Sequence, residues 1–125
     1  MKYFSTPRLP YRLLVTLGAL VFSAQAMAHA HLESTTPAKD AETFAPQSLE
    51  ITFSEGLELP FSSIALSDED GNSVELGEAE LENNEMTLAV SVEEPLEPGR
   101  YAVEWQVLSI DGHQTEGSFH FTVTP

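Results

Sequence analysis

The chain has 125 residues, 20 of them acidic against 5 basic, and no cysteine, so thiolate metal chemistry and disulfide stapling are excluded. All 20 acidic residues follow Ala28, where only Lys39 and Arg100 remain basic, which gives that part of the chain a charge of −18 with histidines neutral. Such a surface excludes nucleic acid as a partner, keeps a protein soluble and concentrates cations, although adaptation to a salty medium would produce the same balance.

Residues 1–28 read as a cleaved signal peptide. Lys2, Arg8 and Arg12 accompany an apolar run from Leu13 to Phe22, no acidic residue occurs, and Ala26-Met27-Ala28 forms an Ala-x-Ala cleavage site. The run is too short for a membrane span, and no second long apolar run follows. Arg8 and Arg12 are not adjacent, which favours the general secretory route over the twin-arginine one. Cleavage leaves residues 29–125, enough for one small domain with a single core, and makes His29 the first residue. A second Ala-x-Ala pattern, Ala28-His29-Ala30, would instead start the mature chain at His31.

From there the apolar residues alternate with the period of half-buried strands. Leu49, Ile51 and Phe53 share one face; Ile64 and Leu66 lead through a turn at Asp70-Gly71-Asn72 to Val74 and Leu76. Met86, Leu88, Val90 and Val92 make a further strand, and Pro95 to Gly99 turns the chain. Tyr101, Val103, Trp105 and Val107 then face one way, with Trp105 as the expected core anchor, and Phe119, Phe121 and Val123 close the domain. The pattern predicts an all-β fold, a Greek-key β-sandwich or barrel of about seven strands, immunoglobulin-like or cupredoxin-like.

The chemistry concentrates in two places. A free N-terminal His29 would offer an α-amine and an imidazole from one residue. Asp111-Gly112-His113, just past a strand end, carries a carboxylate and a further imidazole on either side of a glycine that permits a tight backbone path. Three nitrogens and one oxygen in a tetragonal arrangement suit Cu(II), with zinc the second candidate. Taken singly, a histidine after a leader occurs by chance, and Asp-Gly-His is an ordinary turn. His31 offers a competing mode, in which the terminal amine, two deprotonated amides and the His31 ring hold the ion. A first strand paired into a sheet opposes that mode by keeping its amides in hydrogen bonds. His120, between Phe119 and Phe121, is expected to face solvent.

The mature start His29-Ala30-His31-Leu32 with Ser34-Thr35-Thr36-Pro37-Ala38, then Ile51-Thr52-Phe53-Ser54-Glu55, then Gly99-Arg100-Tyr101-Ala102-Val103-Glu104-Trp105 through Ser109-Ile110-Asp111-Gly112-His113 to Gly117 and Phe121-Thr122-Val123 resemble CopC, the periplasmic copper-resistance domain. The likeness runs over essentially all of residues 29–125. It implies His29, Asp111 and His113 as Cu(II) ligands, with Glu55 as a carboxylate supporting the site from outside the ligand set. Some family members carry a methionine-rich loop that binds Cu(I). Here the stretch before Asp-Gly-His contains no methionine, so the resemblance is to a single-site Cu(II) form. It also implies a CopD-type inner-membrane copper transporter as a separate partner. The expected protein is a non-enzymatic, periplasmic, monomeric Cu(II) carrier serving copper tolerance or supply.

Other signals are weaker. Asp68-Glu69-Asp70-Gly71-Asn72 is calcium-like in composition, but its glycine comes too early for an EF-hand loop and no glutamate follows at the required position. The acidic stretch from Glu75 to Glu85 reads as a solvated hairpin. Hydrolase motifs are missing. A copper-dependent oxidative enzyme of the histidine-brace type, as in lytic polysaccharide monooxygenases, is the alternative, opposed by the small size and by Asp111 occupying a coordination position. A metal-free structural sandwich is the other.

Overall fold

The computed structural model describes residues 30–125, so the leader and His29 lie outside the described residues. Among the described residues nine strands follow one another: β1 Leu32–Thr36, β2 Glu42–Thr43, β3 Ser48–Phe53, β4 Ser63–Ser67, β5 Ser73–Val74, β6 Glu80–Glu82, β7 Thr87–Ser91, β8 Gly99–Leu108 and β9 Gln114–Val123. They form two sheets, ordered β1-β3-β7-β6 and β2-β9-β8-β4-β5. The chain crosses between the sheets after β1, β2, β3, β5 and β7, which makes the domain a β-sandwich. Two short strands exceed the expected count for a physical reason. β2 adds parallel to the end of β9 through only Thr122 and Val123, and β6 is a three-residue strand beside β7, too short to show a period in sequence. No helix among the described residues is long and apolar enough to cross a membrane.

The core lies where the alternation places it. Leu49, Ile51 and Phe53 of β3 are fully buried, as are Val103 and Val107 of β8, with Phe121 of β9 almost so. Burying six such side chains stabilises the fold by roughly 1.5–3 kcal/mol each against exposure. In β7 the alternation is lost: Thr87 and Ala89 are buried as well as Leu88 and Val90. β7 lies between β3 and β6, and the outward-facing Thr87 is covered by Thr52, whose hydroxyl is 2.8 Å from its own, and by Asn83 Nδ2, which donates to it at 3.0 Å.

Trp105 departs from expectation. It shares the inward face of β8 and meets Phe53 edge to face, with ring centroids 5.1 Å apart and planes at 71°, yet it is only half-buried. Its indole lies across Gly117, where a Cβ would sit 2.5 Å from the ring. Because β2 pairs only with the last residues of β9, the first half of β9 is a sheet edge, and the indole over it stays open to solvent. Phe53 and Phe121 anchor the core instead.

Candidate metal centre

The β8–β9 hairpin pairs from Gly99↔Val123 to Leu108↔Gln114, and residues 109–113 close it at one end of the sandwich. Gly112 sits at φ 93°, a left-handed conformation that glycine adopts without strain. The loop is held inside itself and to its neighbour. Ser109 N–H donates to the His113 carbonyl at 2.9 Å, Gly112 N–H to the Ser109 carbonyl at 2.9 Å, and Ile110 N–H to the Gly56 carbonyl at 3.0 Å. A bridge between Leu57 and Ser109 completes the seam with the segment following β3.

That seam brings the start of the described chain to the same end. Leu32 pairs with Phe53, His31 N–H donates to Ser54 Oγ at 2.8 Å, and Ser54 N–H returns a bond to the His31 carbonyl at 2.9 Å. Ala30 is buried in the core cluster. Residue 30, Ser54-Glu55 and Asp111-His113 therefore share one rim, although they are distant in sequence.

Within the loop the Asp111 carboxylate is tightly held. Ser109 Oγ, from a residue 1% exposed, donates to Asp111 Oδ1. The same oxygen accepts from His113 N–H at 3.3 Å and lies 3.2 Å from His113 Nδ1. The Ser109 hydroxyl bond, joined by the bonds from His113, holds the Asp111 carboxyl below the usual carboxylate range. The side chains of His113 and Asp111 remain 44% and 33% exposed, so an ion arriving from solvent can reach both.

The structure brings Asp111 and His113 together; among the described residues no set of three His, Cys, Asp or Glu side chains is close enough to hold a metal. Glu55 shares the rim without entering such a set. His29, the third expected contributor, is outside the described residues. His120 is half-buried on the outer face of the five-stranded sheet, opposite Ala102, away from this rim. Ser109 was not read from the sequence as a site residue. Its signal was available: it continues the inward series Tyr101, Val103, Trp105, Val107, and a hydroxyl at an inward position must find a partner.

The CopC domain model matches residues 32–124, nearly the whole described chain. The chain belongs to the CopC domain family. Among its relatives is Protein YobA of Escherichia coli (strain K12), 38% identical over 122 residues, covering 95% of this chain and 98% of that protein. Copper resistance protein C of Pseudomonas syringae pv. tomato is 34% identical over 123 residues, covering 88% and 91%. The crystal structure of PcoC, a methionine-rich copper resistance protein from Escherichia coli, superposes with a TM-score of 0.71 at 29% identity, over 78% of this chain and 100% of that one. Met86 is the only methionine of this chain after Met27.

Proposed function

We propose that this CopC domain is an exported, periplasmic carrier of Cu(II), released from its leader so that His29 becomes the first residue. The His29 amine and imidazole, the His113 imidazole and the Asp111 carboxylate would hold the ion. The observation that carries this reading is the convergence of two segments: Ala30-His31, tied to Ser54, and the hydrogen-bonded Asp111–His113 pair share one rim of the sandwich. Ala30, which follows His29 in sequence, lies at the end where the pair lies.

The donors suit the cargo, since nitrogen and carboxylate oxygen in tetragonal array favour Cu(II), while the absence of cysteine and the scarcity of methionine disfavour Cu(I). His113 Nδ1 lies 3.2 Å from Asp111 Oδ1, so the imidazole and the carboxylate are close enough to serve one ion. The competing terminal mode, which needs the His31 amide deprotonated, is disfavoured because that amide donates to Ser54 Oγ. Acidification releases the ion as the nitrogens protonate. A CopD-type membrane transporter is the proposed recipient, and the carrier acts as a monomer.

The test is the native intact mass of the exported protein with one equivalent of Cu(II). A mass starting at His29 with one retained copper is expected. A different start, or no retained copper, overturns the reading.

A further inference from the structure

The Ser109 hydroxyl has one proton and three polar neighbours: Asp111 Oδ1, the His113 N–H at 3.3 Å and the His113 carbonyl at 3.2 Å. An ionised carboxylate only accepts, so the proton goes to Asp111 and the hydroxyl oxygen accepts from His113 N–H. Every hydrogen bond to the Asp111 side chain among the described residues falls on Oδ1. Oδ2 carries none of them.

We propose that Ser109 is the positioning residue of the metal site, fixing Asp111 so that Oδ1 is held inside the loop and Oδ2 alone is presented to the ion. This rests on the Cu(II) reading above and adds to it a cause for the carboxylate's denticity. A carboxylate with one oxygen held by the Ser109 hydroxyl and the His113 backbone N–H binds a metal through the other, as one donor of fixed direction, the contact to the His113 ring being exchanged for the ion. That matches a four-donor tetragonal site and opposes calcium, which takes six to eight oxygens and favours carboxylates free to bind through both. Ser109 is suited to the task because its burial leaves the hydroxyl no water to compete for the proton, and its backbone N–H and carbonyl are both bonded within the loop. The side chain is thus held from two directions, by the β8–β9 closure and by the bridge to Leu57.

The experiment measures Cu(II) affinity by chelator competition and the electron paramagnetic resonance spectrum of the one-to-one complex, for the exported protein and for Ser109→Ala, Ser109→Thr, Asp111→Ala and the Ser109→Ala/Asp111→Ala double variant. Ser109→Ala is expected to lose about 10–100-fold in affinity, the range for removing a partner of a metal ligand, and to shift the copper hyperfine splitting. Ser109→Thr, which keeps the hydroxyl, should restore the wild-type spectrum. In the Asp111→Ala background the serine substitution should add nothing, because its effect passes through that carboxylate. Wild-type affinity and spectrum in Ser109→Ala overturn the proposal. An equal loss with and without Asp111 also overturns it, by assigning Ser109 a structural role only. If the unsubstituted protein retains no Cu(II), the site itself falls and the Ser109 role with it; if it binds but Ser109→Ala is silent, only the Ser109 role falls.

Discussion

Two aspartates at opposite ends of the sandwich occupy similar turns and differ in what surrounds them. Asp68 follows β4, with Gly71 at φ 86° three residues on; Asp111 follows β8, with Gly112 at φ 93° next to it. Hydrogen bonds hold both carboxyls below the usual range, from the Asn72 backbone first at Asp68 and from the Ser109 hydroxyl first at Asp111. At Asp68 both oxygens serve the turn: Oδ1 accepts from Asp70 N–H at 3.0 Å and Asn72 N–H at 2.9 Å, and Asn72 Nδ2 lies 3.4 Å from Oδ2. No imidazole is hydrogen-bonded to it among the described residues. At Asp111 the bonds gather on one oxygen, an imidazole lies within hydrogen-bond distance, and Ala30-His31 arrive on the same rim. A depressed carboxyl therefore marks a well-made turn; a candidate ligand needs an unfilled oxygen and a neighbouring nitrogen.

The contrast can be broken most forcefully at His113. His113→Ala should weaken Cu(II) binding by more than about 100-fold, beyond the loss for an orienting partner alone. With a side chain 44% exposed, it should leave the melting temperature of the metal-free protein nearly unchanged. A chelator competition and a thermal melt read the two effects separately, and copper affinity within a few-fold of wild type would dissolve the distinction between the ends.

At the other end, Tyr101 near the start of β8 donates its hydroxyl to the Glu97 carbonyl at 2.7 Å and stacks with Phe121, centroids 5.7 Å apart. Tyr101→Phe keeps the ring and removes the bond, for a loss of about 1 kcal/mol and a fall in melting temperature of roughly 4–8 °C. Copper affinity should not change. A drop in affinity would mean that the ends are coupled through the β8–β9 hairpin.

Asp68→Ala should lower the melting temperature less than Tyr101→Phe does and leave copper binding intact, since the turn it closes is exposed and remote from the rim. The smallest expected effect is on the acid limb of stability. A carboxyl held below its unfolded value of 3.8 stabilises the fold above that value, and the contribution is lost as pH falls through the lower folded value. Asp68→Asn and Asp111→Asn should each flatten the metal-free stability curve below about pH 4. A curve unchanged in both variants would show that neither turn is held by its ionised carboxylate.

The fold was legible because strand alternation is local. Leu49, Ile51 and Phe53, and Tyr101, Val103 and Val107, reveal their shared face at every second position, and backbone geometry obliges neighbouring side chains to opposite faces. Alternation sets the face and not the depth, which is why Trp105 was placed on the correct face and at the wrong depth: its exposure depends on where β2 stops pairing with β9. Thr87 shows the converse, an outward residue covered by Thr52 of β3 on one side and by Asn83, in the turn after β6, on the other.

The sequence by itself determined the charge, the nitrogen and oxygen character of any metal site, and the Asp111–His113 pair, whose members lie within two residues of each other. Only the tertiary structure decided that Ala30-His31 and Ser54-Glu55 meet that pair on one rim, and that Ser109 grips the carboxylate. Those relations depend on β1 pairing antiparallel with β3 and on the bridge from Leu57 to Ser109, long-range hydrogen bonds that no run of neighbouring residues encodes.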